Sequence, residues 1–497
     1  MPAFALEAFE RRAEAFLQAR AWREWQYQAG LRPGRGLVGL YEEDFREVTS
    51  TELWADLQDA ATEDPRQKLA LSGLLAAANL EGRTRELAIQ AANWCVRTTV
   101  GFDDEDVPWR EAPARWALVG DVPRRHALAE AWRNALAAEL NPVLAKWHEG
   151  LRQALPTLTP QEWIPFWAEV RELDLEGSAR LSRAVLDQSQ EVYGHALGVY
   201  LAQVGLPIDD AWQADVDWAF RAARFDTFFV ERLRMPTLVR TFGDLGIDLR
   251  AQSALLLEQS SRPGVWCGAV DVPREVHVLQ RLVGGYQDYL RGLRGIGMAS
   301  HAIHTDASLP FWQRWLGDAA PTLGYGLLLE GLGRDRAWLV AHLDFVASDD
   351  FRIISHLAWL RRVRGSAVDT LYEQQQLWQD DPGGALAADF EVQMSEALRT
   401  RHFADEALLA VRDAPWSTLR AATRLRAEVF AAQLRAFLKR EYDEEWWRNS
   451  RAARFLVQEL WRPGRRHSAE ELLGFMGYPG FDAGILWTEL AEALRTL

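Results

Sequence analysis

Cysteine is almost absent from the chain: Cys95 and Cys267 are the only two among 497 residues. Two thiols cannot form the disulfide framework of a small secreted protein, and they cannot supply a cysteine zinc site. Hydrophobic residues still make up 48% of the sequence, so a chain of this length can bury a large core without such cross-links. We therefore expect a globular protein of a reducing compartment, the cytoplasm.

An excess of positive charge is also missing. The chain has 56 lysines and arginines against 71 aspartates and glutamates, which gives a net charge of −15 and a pI of about 5.3. Nucleic acids and anionic membrane surfaces bind basic footprints, so this balance argues against both as partners. No stretch reaches roughly 18 uncharged apolar residues. The N-terminal MPAFALEAFERRAEAFLQARAW has the pattern of an amphipathic helix and lacks the basic start of a signal peptide.

Repeats of fixed period and low-complexity linkers are absent too, so we expect residues 1–497 to form a single helical unit. Thr49 and Ser468, each with a glutamate three residues later, and Thr159, before a proline, are placed to begin helices. The 23 tryptophans are spread along the chain, which favours a role as core fillers. Apolar residues recur at helical spacings of three and four in LSGLLAAANLEGRTRELAIQAANWC, RHALAEAWRNALAAELNPVLAKWHEGLRQAL, LRAEVFAAQLRAFLKREY and SALLLEQSS.

One segment departs from this helical pattern. GVWCGAVDVPREVHVLQRLVGG, residues 264–285, is rich in valine and has a Val-Pro-Arg-Glu turn at its centre. Such a segment is typical of a β-hairpin. It is followed by GGYQDYLRGLRGIGMASHAIHTD, residues 284–306, which has the framing of a catalytic helix: a Gly-Gly turn, an amphipathic run and histidines at the end.

The motifs of several common enzymes are missing. A zinc peptidase helix needs two histidines at i and i+4 with a glutamate after the first. The only His-Glu pair is His148-Glu149, and Arg152 stands where the second histidine would be. GLGRDR and GLRGIG lack the Lys-Ser/Thr of a phosphate-binding loop, and the serine of GIGMAS has no nucleophile elbow around it.

The region Val265–Leu332 nevertheless resembles the thimet oligopeptidase and oligoendopeptidase F family of zinc metallopeptidases. In that family a hairpin ends in Gly-Gly, and Asp-Tyr, Leu-His-Glu-x-Gly-His-x-x-His, Leu-Pro-Phe, Leu-Gly-Asp and Thr-Glu-x-Tyr-x-x-Leu follow. This sequence keeps the framework of the pattern at matching spacings: Gly284, Gly285, Asp288, Tyr289, Leu293, Gly297, His301, HTDASLPF (304–311), LGD (316–318), Thr322, Tyr325, Leu328 and Glu330.

The four positions that carry the chemistry differ. The resemblance puts Arg294 in place of the first zinc histidine, Gly295 in place of the general base, Met298 in place of the second histidine and Leu323 in place of the glutamate ligand. Guanidinium and aliphatic groups do not bind zinc, and a thioether suits it poorly. The resemblance therefore implies a degenerate active-site region at 264–332 with no catalytic residue, no metal site and no zinc cofactor.

The replacements can be interpreted individually. A fixed Arg294 at the floor of a cleft favours pairing with a carboxylate, and Glu330 is one candidate; a solvated cation is the alternative. Met298 is most simply a core filler. Gly295 costs a helix roughly 1 kcal/mol relative to alanine, which is explained either by relaxed selection or by a close approach of neighbouring groups. His301 and His304 could form a new metal pair near Asp306, although a structural role for them is the simpler interpretation.

The resemblance implies a mainly α fold of two lobes around a deep central channel, with a small β-sheet that includes the hairpin at 264–285. The function we predict is that of a catalytically inactive oligopeptidase-like protein, a pseudopeptidase, that binds peptides or a protein partner in its channel. An active metallopeptidase with a displaced metal, and a structural subunit that pairs with an active paralogue, are the alternatives; the sequence does not define an oligomeric state. Arg424 falls near a position where the family often offers a tyrosine. The candidate channel residues are Trp266, Asp288, Tyr289, His301, His304, Trp312, Trp315, Tyr325 and Arg424.

Overall fold

The structure is a computed structural model that describes residues 5–494 except 33, 63, 261–263 and 380–383. The chain begins with a run of helices interrupted by one short hairpin. Among the described residues no helix is both long and apolar enough to cross a bilayer. The elements of this first part are α1 (Leu6–Gln28), α2 (Thr51–Asp59), α3 (Pro65–Arg83), α4 (Arg85–Arg97), β1 (Thr99–Phe102), β2 (Glu105–Pro108), α5 (Ala112–Trp116), α6 (Val122–Ala135), α7 (Asn141–Ala154) and α8 (Trp163–Val170).

The rest of the chain is also helical and contains one three-stranded sheet. Its elements are α9 (Leu175–Gln203), α10 (Gln213–Arg221), α11 (Glu231–Asp244), β3 (Leu255–Gln259), β4 (Val265–Asp271), β5 (Glu275–Gln280), α12 (Tyr286–His304), α13 (Phe311–Trp315), α14 (Ala320–Glu330), α15 (Arg336–Leu343), α16 (Asp349–Tyr372), α17 (Ala385–Leu398), α18 (Arg420–Glu441), α19 (Ser450–Phe455), α20 (Ala469–Phe475) and α21 (Ala483–Leu494). The mainly α fold class is confirmed.

The helix starts confirm one of the three capping predictions. Ser468 and Glu471 form the reciprocal capping box at the start of α20. At α2 the cap is Ser50 and not Thr49: the Ser50 hydroxyl accepts from the Leu53 N–H at 3.0 Å, because the helix begins one residue later than predicted. The prediction at Thr159 is wrong, since its hydroxyl accepts from the Gln161 N–H in a turn and α8 begins only at Trp163.

The sheet confirms the predicted hairpin and corrects one neighbouring segment. β4 pairs antiparallel with β5, from Val265 opposite Gln280 to Asp271 opposite Glu275, so the hairpin strands end before the Gly-Gly pair. SALLLEQSS was predicted to be helical, but its Leu255–Gln259 portion is β3, which pairs in parallel with β5. A short apolar run carries no period that separates strand from helix, and pairing with β5 decides the outcome. The β1–β2 hairpin was not predicted.

Two hydrophobic cores divide the molecule into two lobes. The core of the first lobe is built mainly from buried residues between 9 and 173 and between 368 and 422. The core of the second lobe is built from residues between 181 and 367 and between 425 and 494. Helix α16 belongs to both: its residues from Phe351 to Ala367 pack in the second core, and Val368 and Tyr372 pack in the first. The sheet and helices α12 and α14 lie in the second lobe.

Candidate functional site

The Gly-Gly turn and Asp288 together set the start of α12. Gly284 and Gly285 have φ values of 86° and 79°, in the left-handed region that glycine adopts without strain. The buried Asp288 carboxylate accepts from the N–H groups of Val283 at 3.0 Å and Gly284 at 2.8 Å. A negative charge near a helix N-terminus is also favoured by the helix dipole. These residues therefore act in the local fold, and they fix where the following turns of α12 lie.

Helices α12 and α14 meet through glycines that lie next to the degenerate positions. A Cβ placed on Gly297 would lie 3.0 Å from the Gly326 Cα, and one placed on Gly326 would lie 2.6 Å from the Met298 Cγ and 2.8 Å from the Arg294 carbonyl oxygen. Arg294 and Met298 thus pack directly on Gly326 of α14. Leu323 lies one helical turn earlier and is half-buried at the edge of the second core. The two helices leave no gap at this point of contact.

Arg294 pairs with a carboxylate, as predicted. Its Nη1 lies 3.2 Å from Oε2 of Glu330, whose Oε1 is 2.6 Å from Nη1 of Arg362 and 3.4 Å from Nη1 of Arg334. Burial opposes the charge of Glu330, but these three guanidinium groups lower its pKa to about 2. We call these four residues, together with the buried Glu428 that also pairs with Arg362 at 2.7 Å, the Glu330 cluster.

Gly295 lies where the sheet comes closest to α12. A Cβ on Gly295 would lie 2.7 Å from the Val278 Cγ1 and 3.0 Å from the Val265 Cγ2. Real Cβ atoms do not approach other heavy atoms this closely, so any side chain here requires the sheet to shift. A close approach of neighbouring groups therefore accounts for the glycine, and a glutamate base does not fit this position in the present packing.

These positions do not suit a zinc ion. Arg294 offers an ion-paired guanidinium, Gly295 offers no side chain, and Met298 offers a thioether packed on a neighbouring helix, whereas zinc takes imidazole, thiolate or carboxylate ligands. In the part of the chain that the structure describes, no group of three or more His, Cys, Asp and Glu side chains is arranged to hold a metal. No metal chemistry is therefore derived from these positions.

His301 and His304 use their ring nitrogens within the fold. His301 is buried: its Nε2–H donates to the Gly464 carbonyl oxygen at 2.9 Å, and the Thr322 hydroxyl donates to its Nδ1 at 2.8 Å. Burial, with a smaller contribution from Arg465, lowers the pKa of His301 to about 3, so the ring is neutral. His304 donates from Nδ1 to the Ser300 carbonyl oxygen of its own helix. The lone pair that His301 would need for a metal is already occupied.

Most of the other candidate channel residues are held inside the second lobe or against α1. The hydroxyl of Tyr289 donates to the Val230 carbonyl oxygen at 2.7 Å, and that of Tyr325 donates to the Leu460 carbonyl oxygen at 3.3 Å. Trp312 is buried. The Trp315 indole donates to Glu14 of α1 at 3.1 Å, and the Trp266 ring lies over Gly268 of its own strand.

A cavity of about 950 Å³ lies between the two lobes. Of the nine candidate channel residues, Arg424 lines it and the other eight do not. Two of its wall residues border the Glu330 cluster: Arg291 is one helical turn before Arg294 on α12, and Arg362 is itself a member of the cluster. The aromatic wall residues include Trp116, Trp132, Phe220, Tyr372, Phe390 and Phe403.

The cavity wall is rich in arginine, which the sequence did not predict. Its charged residues are eight arginines and five acids: Arg133, Arg221, Arg291, Arg361, Arg362, Arg412, Arg420, Arg424, Asp217, Asp369, Glu373, Glu406 and Asp413. They come from helices distant in the sequence, so no local motif marks them. One local signal is the four-residue spacing of Arg420 and Arg424, which places both on one face of α18.

No protein-family model and no curated protein matches the chain in sequence. Solved structures share its fold over nearly the whole length. A Bacillus anthracis protein described as an oligoendopeptidase F is 15% identical with a TM-score of 0.61, over 96% of this chain and 85% of its own. A carboxypeptidase of Pyrococcus furiosus is 14% identical with a TM-score of 0.62, over 98% of this chain and 97% of its own. At these identities the likeness establishes the fold: this chain has the helical fold of these peptidases.

Proposed function

We propose that this protein is a catalytically inactive relative of the oligopeptidases that binds peptides in the cavity between its lobes. The observation that carries the proposal is the Arg294–Glu330 ion pair together with the packing of Met298 on Gly326. In the resemblance, Arg294 and Met298 stand where the two zinc histidines would be. Here one is committed to a buried ion pair and the other to a helix contact, so neither leaves a ligand for a metal.

The peptide-binding part of the proposal is supported by the cavity. Its volume of about 950 Å³ lies within the range of small-ligand sites, but its wall is much richer in charged residues than such sites are, which favours a peptide with mixed side chains. The strands β3 and β4 are the two edges of the sheet, and an extended chain pairs with such edges by main-chain hydrogen bonds. Helix α1 packs against β4, its Trp25 donates to Glu258 of β3 at 2.9 Å, and no residue of either strand lines the cavity, so the cavity walls and not a sheet edge carry this part of the proposal.

The loss of catalysis is tested by metal content and turnover. We expect the dialysed protein to hold far less than one zinc per chain by elemental analysis, and to leave a pool of fluorogenic oligopeptides uncleaved with or without added zinc. Stoichiometric zinc combined with cleavage that a chelator abolishes would establish the alternative of a displaced metal. An active oligoendopeptidase, assayed with the same pool, is the control for the substrates.

Peptide binding is tested by calorimetry with the full-length protein. Without a metal to hold the carbonyl group, we expect a Kd in the micromolar range or weaker, which corresponds to about −8 kcal/mol at most. If no peptide binds at millimolar concentration, the cavity is not a peptide site. Co-purification with an active peptidase from the source cell would then support the structural-subunit alternative.

The cytoplasmic location is also a proposal, and it rests on cysteine chemistry. Cys95 and Cys267 are both free thiols, and Cys95 is buried. Burial raises the pKa of Cys267 to about 12, which keeps this thiol protonated and unreactive at neutral pH. Fractionation of the source cell, followed with an antibody to the protein, tests this location directly.

A further inference from the structure

The arginines of the cavity wall fall into two groups, and one group lacks close carboxylate partners. Arg424 makes no hydrogen bond or ion pair with any residue that the structure describes. The nearest carboxylate to Arg291 is that of Asp288 at 3.8 Å, whose oxygens already accept from the N–H groups at the start of α12. Arg420 reaches Asp413 only at 4.0 Å. We call Arg291, Arg420 and Arg424, of which Arg420 is exposed, the weakly paired arginines of the cavity.

Burial makes the charges of Arg291 and Arg424 unfavourable unless an anion lies close to them. Burial, together with the neighbouring Arg420, lowers the pKa of Arg424, and burial lowers the pKa of Arg291 against a smaller opposing effect of Asp288. A cation that is removed from water without a carboxylate partner is destabilised. A bound anion would supply the missing partner, so the cavity is set up to gain more from a negative ligand than from a neutral one.

The acids on the same wall offset only part of this charge. Asp413 is paired with Arg35 at 2.8 Å and with Arg412 at 3.4 Å, and Glu406 is paired with His402 at 3.1 Å. Burial raises the pKa of Asp369 to about 6 and that of Glu373 to about 7, so Glu373 carries only part of its charge at neutral pH. Asp369 stays mostly charged and acts on Arg424 through space, without a hydrogen bond or close ion pair.

A second observation points to an absent acceptor. Tyr372 lines the cavity and is only 2% exposed, yet its hydroxyl has no hydrogen-bond partner among the described residues. Nη2 of Arg362, on the same helix, is likewise buried without an acceptor. Buried donors are normally satisfied by protein, water or ligand. Trp132 Nε1, Arg133 Nε and Arg221 Nε of wall residues are in the same condition. Five buried donors without an acceptor, on a wall with weakly paired cations, favour a ligand with several acceptor oxygens.

We propose that the cavity between the lobes binds the side-chain carboxylates of an acidic peptide, with Arg291 and Arg424 as ion-pairing partners and Tyr372 as a hydrogen-bond donor. The inference rests on the proposed function, and it goes further by naming the class of peptide. The aromatic walls contact the apolar side chains between the acids, and the guanidinium forks bind carboxylates in the two-point geometry that arginine favours.

The test compares two decapeptide pools by calorimetry. Both are acetylated and amidated, so that neither terminus is charged, and both carry random apolar residues at half of the positions; the other half is glutamate in one pool and glutamine in the other. We expect the glutamate pool to bind at least about tenfold more tightly. The preference should weaken as salt is raised, because ion pairs at a solvent-connected site are screened.

Matched variants assign the effect to the cavity. Arg424→Gln and Arg291→Gln should each reduce the affinity for the glutamate pool about tenfold and leave that for the glutamine pool unchanged. Arg424→Lys should retain most of the affinity because it keeps the charge. Arg11→Gln, at an exposed position of α1 away from the cavity, is the control and should change nothing. Near-native circular dichroism and an unchanged Tm establish that the variants fold.

Each outcome has a distinct meaning. Equal binding of both pools, or an unchanged preference in the Arg291 and Arg424 variants, overturns the acidic-peptide inference and leaves the proposed function standing. A glutamine pool with free C-termini that binds as tightly as the amidated glutamate pool also overturns it, because the carboxylate recognised would then be the terminal one. Binding of neither pool overturns the proposed function itself.

Discussion

Arg294 and Arg291 are neighbours on successive turns of α12, and their surroundings differ. Arg294 belongs to the Glu330 cluster, where two buried carboxylates are shared among three guanidinium groups. Arg291 faces the cavity with one carboxylate at 3.8 Å that is already engaged by the backbone. The first environment is electrostatically nearly complete and stabilises the fold. The second is incomplete, and that difference separates a structural ion pair from a group that is available to a ligand.

The largest expected effect comes from removing the Glu330 carboxylate, at the centre of the Glu330 cluster. Glu330→Gln removes the carboxylate that Arg294, Arg334 and Arg362 share, and it leaves uncompensated cations in the second core. We expect a loss of about 4 kcal/mol in the free energy of unfolding, measured by urea denaturation. Glu7→Gln, at an exposed position of α1, is the control and should stay within about 0.5 kcal/mol. A loss below about 1 kcal/mol for Glu330→Gln would mean that water screens the cluster.

Two buried glutamates, Glu330 and Glu373, should make the free energy of unfolding depend on pH in opposite directions. The depressed pKa of Glu330 stabilises the fold above pH 4.5, and this contribution is lost as the pH falls towards 2. The raised pKa of Glu373 acts in the other direction: its contribution is complete below pH 4.5 and is lost as the pH rises through about 7.

The Glu373 contribution can be removed without losing its hydrogen bond. Its Oε1 accepts from the Leu419 N–H at 2.6 Å, and a glutamine keeps that acceptor. At about 1.4 kcal/mol for each pH unit, Glu373→Gln should remove roughly 3 kcal/mol of the stability change between pH 4.5 and 8. Urea denaturation across this range measures it. Parallel curves for the variant and the original protein would show that folding does not raise the pKa of Glu373.

The glycine contact between α12 and α14 tests how closely these two helices pack beside the Glu330 cluster. Gly326→Ala places a Cβ 2.8 Å from the Arg294 carbonyl oxygen, so the helices must separate, and we expect a loss of about 2 kcal/mol. Gly365→Ala on α16 is the matched control, because a Cβ there meets nothing within 4 Å and alanine favours the helix. The thermal midpoints of the two variants should therefore move in opposite directions. A shift of the same sign in both would contradict the close packing.

The smallest expected effects come from a direct comparison of Arg294 with Arg424. Arg294→Gln breaks one of the three ion pairs of Glu330, and we expect it to cost about 1 kcal/mol. Arg424→Gln breaks none among the described residues, so stability should change by less than about 0.5 kcal/mol. Unfolding in urea at neutral pH resolves the two values. Equal losses in the two variants would show that Arg424 has a structural partner after all.

Local sequence patterns predict the framework of this site but not its cavity. The valine-rich hairpin and the Gly-Gly turn are encoded by short-range signals, and both lie where the sequence indicates. The Arg294–Glu330 pair is predicted because a guanidinium at the floor of a cleft needs a carboxylate partner. The spacing of SALLLEQSS misled because strand pairing overrides a short helical pattern. The cavity arginines depend on how α12, α16 and α18 pack, which no local pattern contains.

Helix α16 gives the two lobes a common mechanical element. Its 24 residues correspond to a rod of about 36 Å, which is anchored in one core by Phe351 to Ala367 and in the other by Val368 and Tyr372. The regular hydrogen-bond ladder of this rod changes only after Tyr372, in the wider turn Glu373–Leu377. Arg361, Arg362 and Asp369 therefore lie at fixed intervals along one rigid helix. A ligand between the lobes meets charges whose spacing is preset, and a change in that spacing requires the rod itself to bend.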